Sequence, residues 1–374
     1  MERTICIRKF KEEDKQGLVG LLSSFYTNIT CIKDWENLYM LNPEGKAIIS
    51  SAEDVTEKRI VGHLSIIRLP LLIFGRKYKA GKGEGEMFDL KFLKKLMEKG
   101  FWMPRGISTN LVKYTLENAI KEDIELVCTN PNNLALKSHL ESGYEALKHK
   151  FSIFVLLLNR KYLIHLLIRK IKLKNVSKLL SFPIFYLLKL VFFVKTFCYR
   201  FTKIELIAFN SFDNTTDNLA KESGLSDVCI MIEPKHTHMN WRFGSENYQK
   251  FFIKSRDKII GYTVIHIFNN PNGFKEANIV DYLLLDNKWG EFRKLIVTLV
   301  NEAKRNGCEL LRVNYMHDHK EQLGISRVFK TLGFLQKSDQ RNIVIFLSEN
   351  LRLFKNSIMD IKNWHFTDLY FEGY

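Results

Sequence analysis

The sequence has no CxxC pair, although it contains six cysteines in 374 residues. No secretory signal opens it either, because Met1-Glu2-Arg3 leads directly into a strand-like run. Scattered single cysteines are not typical of a disulfide scaffold. We therefore expect a reducing, cytoplasmic location. The six positions are Cys6, Cys31, Cys128, Cys198, Cys229 and Cys308.

Acidic residues are absent between Glu145 and Glu205, where the sequence has 13 lysines and arginines. This stretch supplies most of the formal net charge of +16. It is rich in Leu, Ile, Phe and Val, and it lacks the interleaved polar and aromatic residues of a nucleic-acid surface. A basic and strongly apolar composition over 160–203 indicates contact with an anionic membrane surface rather than with nucleic acid.

The run 179–199 within this stretch barely reaches the length of a membrane span. A spanning helix needs about 20 apolar residues, and each central lysine, Lys189 or Lys195, costs about 2.5 to 3.5 kcal/mol on insertion. The run therefore favours a helix that lies in the membrane interface, with its lysines reaching the phosphates. Two alternatives stay open: a helical hairpin that docks on the protein or forms a dimer contact, and a true span.

The rest of the chain has the plan of an α/β protein, and the plan occurs twice. In each half a strand with an internal glycine, Gly62 or Gly261, precedes a helix, a short strand and a second helix that ends in glycine and an aromatic residue. This duplication predicts two domains of one fold, each a mixed, mostly antiparallel sheet flanked by helices. The predicted ranges are 1–158, with 152–158 as the last strand, 159–204 for a basic helical insert, and 205–374.

In two segments of the first half, a chemical role can explain the residue types and their spacing. Gly106 precedes the predicted helix 107–121, and the start of a helix offers free N–H groups and the positive end of a dipole to a phosphate. Glycine at this point lets the backbone approach the phosphate closely. Behind it lies the pattern Asn-x-x-Ala-x-x-x-His-x-x-x-Gly-Tyr, formed by Asn132, Ala135, His139, Gly143 and Tyr144.

Together these segments resemble the GNAT acyltransferases. In that family the loop reads Gln/Arg-x-x-Gly-x-Gly/Ala, and the later pattern has a tyrosine where this chain has His139. The resemblance implies that Asn132 orients the pantetheine and that His139 protonates the leaving thiolate, a task for which a pKa near neutrality is suitable. It also implies that acetyl-CoA is the co-substrate and that the following residues hold its pyrophosphate: Met103, Arg105, Gly106, Ile107, Ser108, Thr109 and Asn110. Met103 departs from Gln or Arg, and Arg105 is the nearby charge.

Glu84 and Glu86 are the candidate general bases. They lie two residues apart between glycines, which puts them on one face of an extended strand and allows a carboxylate to lie close to substrate. The alternative is that each belongs to a solvated turn, and that His139 is a half-buried helix residue bonded to a carbonyl group.

The second half lacks these features. Its loop position, 286–291, has acids that would repel phosphate, and Phe329 stands where the first half has His139. We therefore expect the first copy to bind the cofactor and the second to shape the acceptor site or support the fold. No metal is expected, because neither Cys229, His236 and His238 nor the group 317–319 has a second pair at ligand spacing.

Several further sequence segments resemble those of two-domain GNAT proteins found with bacterial surface-polysaccharide genes. This resemblance implies N- or O-acetylation of a sugar, sugar nucleotide or cell-envelope glycan precursor at the inner face of the cell membrane. Transfer would be direct, in a ternary complex, because the loop helix has no cysteine to accept the acyl group. The tail 368–374 departs from the acidic ending common in such proteins. The sequence segments that carry this resemblance are 35–45, 60–63, 239–243 and 363–367.

Two other functions stay open. A FemAB-type aminoacyl-tRNA-dependent peptidyltransferase also has two copies of this fold, and its basic insert would bind tRNA, but no long polar antiparallel helical arm is visible. A non-catalytic, membrane-associated scaffold with a GNAT-like fold is the other.

Overall fold

The structure is a computed structural model that describes residues 5–24, 29–98, 106–149, 151–199, 204–285, 289–314, 316–317 and 325–370. The chain forms two compact units. The first comprises Met1–Lys150, Arg341–Ile361 and Phe371–Tyr374, and the second comprises Phe151–Gln340 and Lys362–Tyr370. Each unit contains a mixed sheet flanked by helices, which confirms the predicted fold class.

The described residues contain fifteen strands. In chain order they are β1 (Ile5–Lys9), β2 (Ile48–Asp54), β3 (Arg59–Ile73), β4 (Arg76–Phe88), β5 (Leu126–Thr129), β6 (Glu145–Ala146), β7 (Phe151–Leu157), β8 (Ile204–Phe209), β9 (Ile230–Ile232), β10 (Tyr248–Ser255), β11 (Lys258–Asn269), β12 (Lys275–Leu284), β13 (Leu310–Val313), β14 (Leu335–Arg341) and β15 (Val344–Leu347).

The α-helices of the same residues are α1 (Lys15–Ser23), α2 (Ile32–Tyr39), α3 (Leu90–Glu98), α4 (Ile107–Lys121), α5 (Leu136–Glu141), α6 (Arg160–Ile171), α7 (Lys174–Thr196), α8 (Asn214–Glu222), α9 (Leu225–Val228), α10 (His236–Arg242), α11 (Trp289–Arg305), α12 (Ile325–Thr331) and α13 (Lys355–Ile358).

The sheet of the first unit has the order β1-β2-β3-β4-β5-β15-β6. Neighbouring strands in this order are antiparallel except for the parallel pair β4–β5. One face is covered by α4, whose Leu111, Val112 and Leu116 are buried against Leu64 and Ile66 of β3. This apolar contact anchors α4, and therefore the start of α4, to the sheet.

The sheet of the second unit has the order β14-β7-β13-β12-β11-β10-β8, and its parallel pair is β12–β13. The helix α11 belongs to the core on this sheet, with Leu295, Ile296 and Leu299 fully buried. The repeated order of strands and helices follows the duplication seen in the sequence.

Each sheet includes strand material from the other half of the sequence. The predicted first domain includes the run 152–158, but β7 pairs with β13 in the second sheet, where Leu157 lies opposite Leu310. In the first sheet its place is taken by β15, in which Val344 lies opposite Thr129 of β5. The predicted placement is wrong because an alternating apolar strand of four to seven residues fits either sheet, and alternation does not identify its neighbour. The compact units therefore differ from the predicted ranges 1–158, 159–204 and 205–374.

The predicted insert is helical. Within the second unit α6 and α7 form a hairpin, joined by a turn in which Lys172 has a left-handed φ of +60°. Arg160 at the start of α6 donates from Nε to the Ser181 hydroxyl of α7 at 2.9 Å and from its guanidinium to the Lys178 carbonyl at 2.9 Å.

Candidate functional site

The parallel pairing between β4 and β5 stops halfway along β4. The last pair joins Lys82 to Cys128, and the Thr129 hydroxyl then donates to the Gly83 carbonyl at 3.0 Å. A Cβ at Gly83 would come within 3.0 Å of Thr129, so glycine permits this close contact. Because β5 ends at Thr129 and β4 continues to Phe88, the last residues of β4 lie beyond their parallel partner.

A β-bulge at Gly85 lies in this part of β4. Ser65 of β3 lies opposite Glu84. The next pair is two residues away on β3, at His63, but three residues away on β4. The extra residue reverses the alternation of side chains, and Gly85 adopts a φ of +70°. Glu84 therefore faces the side of the sheet that holds His63, whereas Glu86 faces the side covered by α4. The expectation that both carboxylates share one face is wrong, because alternation by two holds only in a regular strand.

Glu86 joins three separate segments of the first unit. Its Oε1 accepts hydrogen bonds from the hydroxyl of Ser108 at the start of α4 and, at 3.2 Å, from the hydroxyl of Ser138 on α5. Its Oε2 lies 3.2 Å from Nδ1 of His139, and the two side chains are 9% and 2% exposed. His139 Nδ1 also lies 2.9 Å from the Ala135 carbonyl oxygen. Since both neighbours of Nδ1 are acceptors, we infer that Nδ1 carries a proton and that Nε2 is the basic nitrogen of neutral His139.

Tyr144, which closes the predicted motif, packs edge-on against His139 at 4.9 Å between ring centroids. Burial raises the pKa of the Tyr144 phenol far above its usual value, so this hydroxyl stays protonated at neutral pH. The aromatic residue after Gly143 thus forms a wall of the His139 environment and does not itself supply an anion.

The helix α4 starts directly after Gly106, where the sequence predicts a helix start. Gly106 has a left-handed φ of +77°, and a Cβ there would meet no atom within 4 Å. The first intrahelical bond runs from the Asn110 N–H to the Gly106 carbonyl at 2.8 Å, so the amides of 107–109 precede the helical ladder. Glycine is therefore favoured by the backbone conformation, and the space beside it is open. Met103 and Arg105 lie outside the described residues.

The neighbouring predicted residues have the following contacts. Thr109 donates from its hydroxyl to Glu141 of α5 at 3.0 Å, Ile107 is buried, and Asn110 is exposed. Asn132 accepts from the backbone N–H groups of Leu134 and Ala135, each at 2.9 Å. The amide oxygen of Asn132 therefore caps the turn that leads into α5, and its role towards pantetheine stays a prediction.

Glu84 lies in a different environment on the opposite face. Its carboxylate lies 2.5 Å from Lys82 Nζ, and the two side chains are 11% and 3% exposed. Nearby, His63 is fully buried with Nδ1 2.9 Å from the Gly85 carbonyl oxygen, and burial lowers its pKa to about 4. Glu84 is therefore a charge partner of a buried lysine, whereas Glu86 contacts the predicted acid His139.

No protein-family model matches the sequence, and no curated protein sequence matches it. Solved structures do match. A GCN5-related N-acetyltransferase from Anabaena variabilis has a TM-score of 0.56 and 12% identity, over 91% of this chain and 72% of that chain. A probable N-acyltransferase from Enterococcus faecalis has a TM-score of 0.57 and 10% identity, over 92% and 73%. Saccharomyces cerevisiae N-myristoyltransferase with bound myristoyl-CoA has a TM-score of 0.56 and 11% identity, over 93% and 80%.

The chain has the GCN5-related N-acetyltransferase (GNAT) fold. These matches extend over more than nine-tenths of it and are therefore not confined to one unit. At identities of 10–12% the likeness concerns the path of the backbone. The chemistry of this chain therefore depends on its own side chains.

In the second GNAT-like unit the end of the parallel pair is occupied by the tail of the chain. The last pair of β12–β13 joins Ile279 to Val313. Beyond it, Thr367 donates from its hydroxyl to Asp281 at 2.8 Å, and Phe366 forms a two-bond bridge with His317 through N–H and carbonyl groups at 2.7 Å. Phe366 and Thr367 are 0% and 2% exposed. In the first unit the last part of β4 extends beyond the end of β5. The equivalent position in the second unit, beyond the β12–β13 pair, is thus occupied by Phe366 and Thr367.

The other predictions for the second unit concern Phe329, the loop that begins at residue 286 and the metal ligands. Phe329 is fully buried and stacks on Phe154, so the residue at the His139 position belongs to the core. The acidic loop beginning at residue 286 lies largely outside the described residues. Among those that are described, no group of three or more His, Cys, Asp or Glu side chains is arranged to hold a metal ion.

Ser138 is the site residue that the sequence did not reveal. It lies beside His139 on α5, and its hydroxyl contacts both Glu86 and the Ala135 carbonyl. A serine inside a short helix is ordinary, so its type carries no signal. Only the position of β4 against α5 makes it part of the site.

Proposed function

We propose that the protein is an acyl-CoA-dependent acyltransferase whose first unit binds the CoA thioester. The observation that carries this proposal is the meeting of Glu86, Ser108 and His139, three predicted residues from three elements, through direct polar contacts. They meet at the start of α4 and beside the last part of β4. The same region of the second unit contains the chain's own tail, which supports the first unit as the cofactor site.

The first turn of α4 is the proposed pyrophosphate site. The amides of 107–109 and the helix dipole attract a diphosphate, and open space lies beside Gly106. Met103 and Arg105 would complete this loop. Glu86 is near the helix start, but its carboxylate is already bonded to two hydroxyl groups. The phosphate would therefore bind at the amides of 107–109, beside the open space at Gly106.

Acyl transfer requires two proton movements. The acceptor nitrogen or oxygen attacks the thioester carbonyl carbon, its new bond forms as the C–S bond breaks, one proton leaves the nucleophile, and the thiolate takes one up. The Glu86–His139 pair is suited to exchange these protons, because neutral His139 can take the nucleophile's proton at Nε2 and pass it to the thiolate while the Glu86 carboxylate faces Nδ1. Of the two predicted carboxylates we therefore favour Glu86, as the partner of His139, and Glu84 serves as the partner of Lys82.

The finer identity of the substrates rests on the sequence resemblance. We infer acetyl as the acyl group and a sugar, sugar nucleotide or cell-envelope glycan precursor as the acceptor, with direct transfer in a ternary complex. The acyl-CoA part of the proposal does not depend on this choice.

The cofactor site is tested by titrating the full chain with CoA and acetyl-CoA in a calorimeter. Replacing Gly106 by Val forces a β-branched residue into a left-handed conformation, which costs about 1–2 kcal/mol and turns the first amides of α4 away from their direction. We expect binding to weaken about tenfold or more, equivalent to about 1.4 kcal/mol.

Gly224→Val is the matched control. Gly224 also precedes a helix, has a φ of +59°, and would place a Cβ with no atom within 4 Å, but it belongs to the second unit. This variant should lose similar stability in thermal unfolding and keep the affinity of the parent. If both variants bind CoA equally well, or only Gly224→Val loses binding, the first-unit site is refuted.

A further inference from the structure

The buried side of α7 contains three hydroxyl residues and two phenylalanines, and its exposed side is largely apolar. Ser177, Ser181 and Thr196 are fully buried, whereas Leu179 and Leu187 are 75% and 62% exposed. Other large apolar side chains continue the exposed surface: Phe182, Ile184, Tyr186, Leu190, Val191, Phe193, Val194 and Phe197. A surface helix of a water-soluble domain has the opposite arrangement. This pattern therefore indicates an apolar environment outside the protein.

The buried polar groups of α7 are satisfied within the protein. The Ser177 hydroxyl donates to the Leu173 carbonyl at 2.8 Å, and the Thr196 hydroxyl donates to the Phe192 carbonyl at 2.8 Å. Ser181 accepts from Arg160 at 2.9 Å. The polar groups on the buried side of α7 are therefore hydrogen-bonded within the protein. Rotating the helix to bury its leucines would break the hydrogen bond between Arg160 of α6 and Ser181 of α7.

The buried side runs along the whole length of α7. Ser177, Ser181, Phe185, Phe192 and Thr196 recur at intervals of four, four, seven and four residues, which is one stripe of an α-helix. Among the described residues, α7 is the one helix long and apolar enough to cross a membrane by length and composition, and only 17% of its most apolar window is buried. Since the stripe fixes α7 to the second unit from end to end, the helix lies on the unit rather than leaving it to cross a bilayer.

Basic residues surround the exposed apolar surface. Lys178, Lys189 and Lys195 are exposed and lie next to the buried stripe on the helical period, so they border the apolar face. The α6–α7 turn adds four exposed cations, Arg169, Lys170, Lys172 and Lys174. No acidic residue occurs between Glu145 and Glu205 to balance them. Apolar surface with a basic border is complementary to anionic lipid headgroups over acyl chains.

We propose that α7 and the α6–α7 turn bind the surface of an anionic phospholipid bilayer. The apolar side chains enter the interface in the plane of the membrane, and the lysines and arginine contact the lipid phosphates. The protein would then be peripheral on the cytoplasmic leaflet, as the sequence predicts. This inference does not depend on acyl transfer, because none of its residues belongs to the candidate site.

The test uses flotation of the full chain with vesicles of phosphatidylcholine alone or mixed with phosphatidylglycerol. We expect flotation with the anionic vesicles only, and partial release at high salt because the surface potential is screened. Replacing Leu179, Leu187 and Leu190 by Ser should lower the bound fraction by about tenfold, and replacing Lys172, Lys174 and Lys178 by Glu should lower it to the level seen with neutral vesicles.

Matched variants control for loss of folding and for general effects of charge. Leu41 and Leu353, 62% and 92% exposed, are replaced by Ser, and the exposed Lys33, Lys94 and Lys121 are replaced by Glu. These variants should float like the parent, and circular dichroism should show that all variants are folded.

Three outcomes would overturn the proposal. The chain fails to float with anionic vesicles; it floats but is unaffected by the α7 substitutions; or it resists both salt and alkaline carbonate, as a spanning protein does. A monomer–dimer equilibrium that the same leucine substitutions abolish, without any flotation of the parent, would instead identify a second copy as the partner of this face.

Discussion

The sharpest prediction concerns the two carboxylates of β4, because the bulge at Gly85 places them in different environments. We consider Glu86→Gln and Glu84→Gln as a matched pair. Both change a carboxylate to an amide of the same shape, both side chains are largely buried, at 9% and 11% exposed, and only two positions separate them. Any difference between the variants therefore reflects environment rather than residue type.

Glu86→Gln removes the charge that faces His139 and keeps one carbonyl oxygen for Ser108 and Ser138. A buried hydrogen bond to a charged group contributes about 1.5–3 kcal/mol, and the amide recovers part of it, so we expect a loss of about 1–2 kcal/mol in stability. Under the proposed mechanism turnover should fall about 10²- to 10⁴-fold, because the Glu86 carboxylate no longer faces Nδ1 of His139 while the ring passes a proton to the thiolate.

Glu84→Gln removes the carboxylate that lies 2.5 Å from Lys82 Nζ, and the Lys82 side chain is only 3% exposed. Removing one partner of a buried ion pair costs about 3–5 kcal/mol. Turnover of the fraction that remains folded should change less than tenfold. The double variant Lys82→Met, Glu84→Gln removes both charges and should recover most of the lost stability.

Stability is measured by urea unfolding, and turnover by release of the CoA thiol from acetyl-CoA with a panel of amino sugars at saturating acceptor. The double variant keeps the comparison informative if Glu84→Gln unfolds. If that double variant loses turnover 100-fold while Glu86→Gln stays active, the proton-exchanging carboxylate is Glu84 and the reasoning from the bulge is refuted.

Two further predictions concern the folded cores. Leu111→Ala truncates a fully buried side chain of α4 that packs on β3, and urea unfolding should show a loss of about 2–5 kcal/mol, with an exposed Leu90→Ala control changing little. Burial raises the pKa of Asp281 to about 7 from 3.8. The folded state then binds the proton more tightly, so the unfolding free energy should decrease as the pH rises from about 4 to about 7. Asp281→Asn should flatten that slope, and an unchanged slope would contradict the assignment.

Much of the fold could be predicted from the sequence because its signals are local. The α4 start at Gly106 and the helix end at Gly143 both depend on a left-handed backbone, for which glycine is favoured, and the sequence predicts both. The duplication is visible because helix and strand periods recur in the same order. Three of the candidate residues, Glu86, Ser108 and His139, do come together.

The errors arise where structure depends on a distant neighbour. The bulge at Gly85 is a relation between β4 and β3, and no residue of β4 by itself shows that Glu84 and Glu86 will diverge. The exchange of β7 and β15 is a choice between two similar partners. The position of Phe366 and Thr367 is also hidden in the sequence, because both look like ordinary residues until their bonds to His317 and Asp281 are seen.

The origin of β15 has a consequence for synthesis. In the first sheet β15 lies between β5 and β6, so a nascent chain that ends before residue 344 has an unpaired β5 edge next to the candidate site. This sheet can form completely only after residue 347 has left the ribosome, which makes its folding slow and exposes it to aggregation. Stop codons or damage that remove β15 should therefore impair the first unit, and cutting the gene between the two halves of this sequence will not yield two independent parts.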